Sequence, residues 1–320
     1  MNEESVERIV TKIKREFGDD VLKLLNDPLT IEVMLNPDGN LWAEKLGQEP
    51  FCFGAFSEAK AKSVIASTAT ILETVVNSEN PILECELPLD GSRFEALLPP
   101  VVSAPVFTIR KKASKIFTLE DYVNSQVLEQ NQSDFIKAAI QARKNILVVG
   151  GTQTGKTTFS NAVLDGIATI NPDHRIIIIE DTSELQCAAK NKVFLRSTIR
   201  VSMQDLLKAT MRLRPDRIIV GETRGKEALD LLKAWNTGHP GGLATVHASS
   251  AKGGLKRLEQ LISEISSANM AELIAEAVNV VIYMEKTPNG RKIKEIVEVA
   301  GFDKKQQDYV IFNPFQIIKE

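Results

Sequence analysis

The chain has 320 residues, of which 43% are hydrophobic and 25% charged, and it carries a formal net charge of -3. This length favours two domains over one. The slight acidic excess argues against a dedicated duplex-DNA binder, which would carry a surplus of basic residues. The 3 cysteines are scattered, which excludes a disulfide framework and a four-cysteine zinc ribbon, so a reducing, cytoplasmic location is expected.

The first part of the chain alternates amphipathic helices with short antiparallel strands. Apolar residues at helical spacing predict a helix over 6–25, and Ser57 is a candidate N-cap for a second helix that runs to about Val76. Strand pairs are predicted on either side of the turns at 36–39 and 90–91, followed by one further strand, VFTIRK. These elements predict an α+β domain that has no catalytic motif of its own.

From about residue 133 onward, wholly apolar strands alternate with helices. The predicted strands are NILVVG, RIIIIED, RIIVGE and GGLATVHA, and the predicted helices cover 202–213, 226–235 and 251–266. This alternation is typical of a parallel sheet covered on both faces. A β-hairpin is expected around Pro288-Asn289-Gly290 near the end of the chain. The polar segment 124–133 marks the expected boundary, which gives an N-terminal domain of 1–130 and a C-terminal domain of 131–320.

The segment GGTQTGKTT, residues 150–158, matches the phosphate-loop pattern G-x-x-x-x-G-K-[ST] between a predicted strand and a predicted helix. Consecutive backbone N–H groups and the helix N-terminus both favour phosphate oxygens at such a loop. Lys156 is expected to reach the β- and γ-phosphates of ATP, and the Thr157 hydroxyl to bind Mg²⁺. The residues expected to contact the nucleotide here are Gly150, Gly151, Thr152, Gln153, Thr154, Gly155, Lys156, Thr157 and Thr158.

Acidic residues follow two of the predicted parallel strands. Glu180 and Asp181 end the first of these strands, with Glu184 just beyond them, and Glu222 ends the second. Ligands of an open parallel sheet bind beyond the carboxyl ends of its strands, so these acids are expected on the edge that holds the nucleotide. A single acid after a strand is often only a helix cap, but two acidic strand ends beside a phosphate loop favour a role in phosphoryl transfer.

Two of the 3 histidines in the chain, His239 and His247, lie on either side of a Pro-Gly-Gly turn. A zinc pair is disfavoured, because zinc-binding histidines usually lie three to five residues apart or have cysteine partners. Packing in the core is an alternative, since His247 follows an apolar strand. The favoured hypothesis is that both imidazoles approach the γ-phosphate, His239 by way of the glycine turn, and donate hydrogen bonds to it.

Four motifs occur in order: the phosphate loop, IIEDTSEL, MRLRPDRIIVGETRG and NTGHPGGLATVHA. Together they resemble the secretion "traffic" ATPases, in particular the type IV secretion and conjugal-transfer branch, over residues 80–270. The resemblance implies a RecA-like P-loop ATPase domain with a parallel sheet, preceded by a smaller α+β domain of a PAS-like kind. It also implies a homohexameric ring at the cytoplasmic face of the inner membrane, which works with the inner-membrane proteins of the mating channel and contacts the membrane peripherally.

The resemblance also suggests roles for individual residues. Glu222 takes the Walker B position, and we favour it as a Mg²⁺ ligand and as the acid that orients the attacking water. The family's "Asp box" matches Glu180, Asp181 and Glu184, so Glu180 and Glu184 remain alternatives for the catalytic acid. The "His box" matches the two histidines described above.

Four arginines are further candidates. By resemblance, Arg93 and Arg110 lie where the N-terminal domain of the family contacts the nucleotide. Arg212 and Arg214 precede the Walker B strand and are candidates to reach the γ-phosphate of a neighbouring subunit. For each arginine, a surface salt bridge is the alternative.

Other functions fit the same motifs less well. An ATPase of a pilus-assembly or type II-like secretion system is the first alternative. A RecA-type nucleic-acid motor is disfavoured by the negative charge and the low aromatic content, so no stable binding of nucleic acid is expected. A nucleotide-binding scaffold without turnover is disfavoured by the full set of acids and histidines.

Overall fold

The computed structural model describes residues 3–112, 116–198, 200–287 and 290–315. The chain divides into two compact units, Met1–Ser114 and Lys115–Glu320. Among the described residues, no helix is both long enough and apolar enough to cross a membrane.

The N-terminal unit is one antiparallel sheet with two helices on its apolar face. Its elements are α1 (Glu3–Asn26), β1 (Thr30–Leu35), β2 (Asn40–Lys45), β3 (Phe51–Ala55), α2 (Glu58–Ile71), β4 (Ile82–Glu86), β5 (Arg93–Leu97) and β6 (Val106–Arg110). The strand order is β3-β2-β1-β6-β5-β4. Alternate strand residues such as Val33, Phe94 and Ile109 are fully buried against the helices, which leaves a polar opposite face, as a period of two requires.

The second helix ends earlier than its sequence pattern suggested. Ser57 caps its N-terminus, as predicted, but α2 stops at Ile71 instead of Val76. Glu73 adopts a positive φ of 52°, and Thr74 N–H bonds back to the Ala69 carbonyl. A left-handed residue in this place closes a helix, so the apolar residues that follow it are not helical.

The C-terminal unit is built on an eight-stranded mixed sheet. Its elements are α3 (Leu119–Asn124), α4 (Gln130–Gln141), β7 (Ile146–Gly150), α5 (Lys156–Ile170), β8 (Ile176–Glu180), β9 (Lys192–Arg196), α6 (Met203–Thr210), β10 (Arg217–Val220), α7 (Glu227–Asn236), β11 (Leu243–Val246), α8 (Ala251–Ser263), α9 (Ala271–Ala277), β12 (Val280–Thr287), β13 (Gly290–Asp303) and β14 (Asp308–Phe312). The order is β14-β13-β12-β7-β11-β10-β8-β9. Strands β12 to β9 in this order are parallel, and β13 and β14 are antiparallel additions at one edge.

Both faces of this sheet are covered, which explains its wholly apolar strands. Side chains of α3, α4 and α5 pack on one face, and those of α6 to α9 pack on the other. The predicted hairpin of β12 and β13 is present, although Pro288 and Asn289 at its turn lie outside the described residues. The helices α3, α4 and α9 and the strands β9 and β14 were not predicted. Helix α4 begins within the polar segment 124–133, and the other four elements are short or only half buried.

The expected boundary within 124–133 is corrected by the structure, which divides the chain before residue 115. The segment from Leu119 to Leu128 packs into the core of the C-terminal unit. The ring of Tyr122 meets the ring of Phe159 edge to face, with centroids 5.1 Å apart. The polar segment 124–133 therefore comprises the end of α3, its connection to α4 and the first turn of α4, and is not a linker between domains.

Candidate active site

The phosphate loop occupies the carboxyl end of the central strand β7 and leads into α5. Gly155 has a φ of +89°, a conformation that disfavours any residue with a side chain. A Cβ at Gly150 would lie 2.5 Å from Thr154 Oγ1 and 2.7 Å from the Met284 carbonyl oxygen. Thr154 Oγ1 donates to the Gly151 carbonyl at 3.0 Å and closes the loop. The backbone geometry therefore requires glycine at the two positions that the motif specifies.

Lys156 turns back into this loop. Its side chain is buried, with 8% of the residue exposed. The Nζ atom donates to the carbonyl oxygens of Gly150 and Gly151, at 3.0 and 2.8 Å, and lies 3.3 Å from His247 Nδ1. The ammonium therefore lies at the place where phosphate oxygens would replace these neutral acceptors.

Glu222 and His247 meet beside the lysine. Glu222 follows β10 and His247 follows β11, two neighbouring parallel strands, and His247 Nε2 lies 2.6 Å from Glu222 Oε1. Burial and the nearby Lys156 ammonium lower the pKa of His247, against the opposing effect of Glu222. A neutral imidazole can accept from Lys156 at Nδ1, while Nε2 lies in close contact with the carboxylate without hydrogen-bond geometry. The structure thus brings together three residues that the sequence predicted for this edge.

Glu180 is the most buried acid of the site, with 4% of the residue exposed. Its Oε1 accepts from the backbone N–H groups of Glu184 and Leu185, at 3.0 and 2.9 Å. Burial raises the pKa of Glu180 to about 7, although these two hydrogen bonds act in the opposite direction. A Cβ at Gly221 would lie 2.8 Å from Glu180 Cγ, so the glycine before Glu222 makes room for this side chain. Glu180 therefore organises the loop that carries Glu184.

Two residues of the site were missed by the sequence analysis. Arg224 links Asp181 and Glu222: its Nη1 lies 2.7 Å from Asp181 Oδ2, and its Nη2 contacts Glu222 Oε2. Asn161, in α5, accepts from Gln186 N–H at 2.8 Å and so ties the Asp-box loop to the phosphate-loop helix. The signal for Arg224 was its place two residues after Glu222, because such residues lie on the same side of an extended segment. Asn161 had no signal in the pattern.

His239 lies near the amino end of β11, whereas the phosphate loop lies at the carboxyl ends of the parallel strands. This position corrects the expectation that His239 approaches the phosphate loop in its own chain. It precedes β11, whose four residues span about 13 Å, whereas His247 follows that strand. The turn after His239 is anchored by Asn145, just before β7, whose Oδ1 accepts from Gly241 N–H at 2.7 Å. The two histidines therefore cannot share a metal ion or a phosphate within one chain.

The four candidate arginines are divided between the two units. Arg212 and Arg214 lie between α6 and β10, at the amino ends of the parallel strands, and both are exposed. Arg93 and Arg110 are cross-strand neighbours on β5 and β6 of the N-terminal unit. Arg93 Nη2 lies 3.0 Å from Glu84 Oε1. Arg212 and Arg214 therefore lie at the ends of the strands opposite to the phosphate loop of their own unit.

The remaining phosphate-loop residues form its outer rim. Gly151, Thr152 and Gln153 are exposed, and Thr157 and Thr158 are half buried at the start of α5. Arg291 Nε, on β13, donates to the Gln153 carbonyl at 3.3 Å. The rim is therefore open, as a nucleotide that enters from solvent requires.

Comparison with known proteins agrees with this geometry. The family model described as "Type II/IV secretion system protein" matches residues 54–300. The conjugal transfer protein TrbB of Rhizobium radiobacter is 49% identical over 295 residues, which cover 92% of this chain and 91% of that protein. The type IV secretion system protein PtlH of Bordetella pertussis is 32% identical over 305 residues, covering 84% of this chain and 89% of that protein.

A solved structure supports the fold. The Legionella pneumophila ATPase DotB superposes with a TM-score of 0.63 at 21% sequence identity, covering 89% of this chain and 80% of that one. The predictions of a RecA-like ATPase fold, of ATPase activity and of nucleotide binding are confirmed by the family match together with these relatives. The chain belongs to the type II/IV secretion system protein family.

Proposed function

We propose that this chain hydrolyses ATP at the phosphate loop of its C-terminal unit to power conjugative transfer through a type IV secretion apparatus. The observation that carries the proposal is the contact of Lys156, His247 and Glu222 at the carboxyl edge of three adjacent parallel strands. The conjugal relative, at 49% identity over nearly the whole length of both chains, supports conjugation as the process. The alternative is that the chain powers a pilus-assembly or type II secretion system, because the family model covers both type II and type IV systems.

ATP binding is the role of the loop and its lysine. The phosphate oxygens would take the places of the two loop carbonyls as partners of Lys156 Nζ. The exchange replaces two neutral acceptors with charged ones, and hydrogen bonds between charged groups are about twice as strong as neutral ones. The N-terminus of α5 adds its partial positive charge to the same place.

Proton transfer is the role of Glu222. Its Oε1 faces His247 and therefore the side on which Lys156 would bind the phosphates, while Arg224 contacts Oε2. We assign Glu222 as the base that accepts the proton of the attacking water at Oε1. His247 Nε2 lies beside Glu222 Oε1 and would donate a hydrogen bond to a γ-phosphate oxygen, so the imidazole distinguishes ATP from ADP. Glu180 is proposed to hold the loop after β8, which carries Glu184, by accepting backbone hydrogen bonds from it.

Mg²⁺ fits the donors present. Mg²⁺ prefers one or two protein oxygens together with phosphate oxygens and water over a closed protein cage. The Thr157 hydroxyl and the Glu222 carboxylate offer such oxygens, and the described residues contain no group of three or more His, Cys, Asp or Glu that could hold a metal ion by themselves. Bound between these residues and ATP, the ion would neutralise negative charge on the β- and γ-phosphates.

The assembly is proposed to be a homohexameric ring at the cytoplasmic face of the inner membrane, docked on inner-membrane proteins of the secretion channel. Arg212 and Arg214 are exposed and lie away from the phosphate loop of their own chain. Action across a subunit interface is therefore the way in which they could reach a γ-phosphate. Arg93 and Arg110 are proposed to bind the nucleotide from the N-terminal unit.

The proposal is tested by phosphate release from the purified full-length chain and by mating assays. Lys156→Ala should remove hydrolysis and most ATP affinity, and it should abolish transfer when it replaces the wild-type chain in donor cells. Single-stranded DNA should not stimulate hydrolysis, because the chain has a net charge of -3 and only 6% aromatic residues. Transfer at the wild-type level with Lys156→Ala, or hydrolysis that depends on single-stranded DNA, would overturn the proposed function.

A further inference from the structure

Arg224 bridges two acids that come from different strands. Asp181 follows β8, Glu222 follows β10, and these strands are neighbours in the sheet. The guanidinium places Nη1 2.7 Å from Asp181 Oδ2 and contacts Glu222 Oε2 through Nη2. Two carboxylates at adjacent strand ends repel each other, and the arginine replaces that repulsion with two attractive contacts.

The backbone of Arg224 is fixed independently of its side chain. Glu227, in the first turn of α7 and 8% exposed, accepts from Arg224 N–H at 2.7 Å and from Gly225 N–H at 2.8 Å. On the other side of the turn, Thr223 N–H donates to the Thr245 carbonyl at 2.9 Å. The side chain therefore starts from a fixed point and has a planar fork of donors with a set geometry.

Glu222 is in this way held by different partners on its two oxygens. Arg224 contacts Oε2, and His247 lies 2.6 Å from Oε1. If His247 were the only residue in contact with the Glu222 carboxylate, the carboxylate could rotate once the imidazole forms a hydrogen bond with a phosphate oxygen. The contact of Arg224 with Oε2 remains at that moment, because it involves the other carboxylate oxygen and does not depend on the imidazole.

We propose that Arg224 is a positioning residue for catalysis: it fixes the Glu222 carboxylate with Oε1 turned toward the attacking water and couples this orientation to Asp181. This inference rests on the proposed function, in which Glu222 is the base. In this role Arg224 acts through Glu222 and not on the nucleotide, so its loss should affect turnover and leave binding intact. A lysine cannot replace it fully, because an ammonium is a point charge without the planar fork that joins two carboxylates.

The test compares Arg224→Gln, Arg224→Lys, Asp181→Asn and the double variant Arg224→Gln/Asp181→Asn, with ATPase kinetics and ADP binding by calorimetry. Arg224→Gln should lower kcat about tenfold or more, while the KM for ATP and the Kd for ADP stay within about twofold. Arg224→Lys should recover part of that loss. Asp181→Asn should have a smaller effect, and the double variant should lose no more than Arg224→Gln, since both changes remove one bridge.

Lys252→Gln is the matched control, because Lys252 and Asp308 form a partly exposed ion pair on α8 and β14, and its kcat should be unchanged. A kcat of Arg224→Gln within twofold of the wild type would overturn the inference. So would a parallel loss of ADP binding and melting temperature that Arg224→Lys does not reverse. Failure of the proposed function is distinct, since the wild-type chain would then release no phosphate or Lys156→Ala would retain hydrolysis.

Discussion

His247 Nε2 lies 2.6 Å from Glu222 Oε1, so two residues that closely follow neighbouring parallel strands are in direct contact. The same imidazole faces Lys156 Nζ, at 3.3 Å from Nδ1. Lys156, His247 and Glu222 therefore form a continuous row of contacts from the phosphate loop to the acid beside it. Binding of ATP has to reorganise this row, and the predictions below follow from its members.

Glu222→Gln should separate binding from turnover. Glutamine keeps the size of the side chain and can still accept from Arg224, but it does not take a proton from water. We expect kcat to fall by about 10²-fold or more while ATP affinity stays near the wild-type value. Phosphate release and equilibrium binding of ATP measure the two quantities. Hydrolysis at a near wild-type rate would show that Glu184 or Glu180 is the catalytic acid instead.

The two histidines should behave differently. His247→Ala should lower kcat about tenfold or more and leave ADP affinity nearly unchanged, because a hydrogen bond of about 1–3 kcal/mol to a charged acceptor is lost only with ATP. His239→Ala is the matched comparison, since it lies beyond the opposite end of β11. We expect its kcat to stay within about threefold of the wild type.

Equal losses of kcat in the two variants would contradict this difference and would indicate that His239 reaches the nucleotide of a neighbouring subunit. Unaltered turnover of His247→Ala together with a large fall in melting temperature would show that His247 serves only packing.

Glu180→Gln should change the dependence of stability on pH. A carboxyl group whose pKa is raised from 4.5 to about 7 in the folded state contributes stability that is fully present below pH 4.5. That contribution is lost as the pH rises through 7, and for this buried group the loss is about 3 kcal/mol. Glutamine can accept the same backbone hydrogen bonds without the cost of a buried charge.

Melting curves at pH 5 and pH 8 measure this effect. The melting temperature of Glu180→Gln, relative to the wild type, should be several degrees higher at pH 8 than at pH 5, since 1 kcal/mol corresponds to about 2–4 °C in a unit of this size. The histidines with lowered pKa values are common to both proteins and cancel in the difference. The same difference at both pH values would contradict a raised pKa for Glu180.

Arginines that act between subunits should show complementation. Arg212→Ala or Arg214→Ala, mixed with Lys156→Ala, should recover part of the ATPase activity that each variant lacks alone. A mixed oligomer contains interfaces with an intact arginine on one side and an intact phosphate loop on the other. Native mass spectrometry confirms that mixed oligomers form. Mixed oligomers without any recovery would exclude action across the interface for the arginine tested.

The sequence by itself determined the parts of this protein that depend on local patterns. The phosphate loop follows from glycine conformations and one lysine within nine residues, and the parallel strands follow from wholly apolar runs between helices. The expected positions of Lys156, Glu222 and His247 also follow, because strand ends in a parallel sheet meet at one edge. Their place at that edge needed only the order of the strands along the chain.

Only the tertiary structure decided which side chains meet across strands and at which end of a strand each one lies. His239 and His247 are close in sequence, yet they lie at opposite ends of β11, because the extended strand between them spans the sheet from its amino to its carboxyl side. Arg224 and Asp181 are 43 positions apart and meet because β8 and β10 are neighbours in the sheet. Residues 119–128 belong to the C-terminal unit because their apolar side chains are buried against α5, a contact that a polar composition does not reveal.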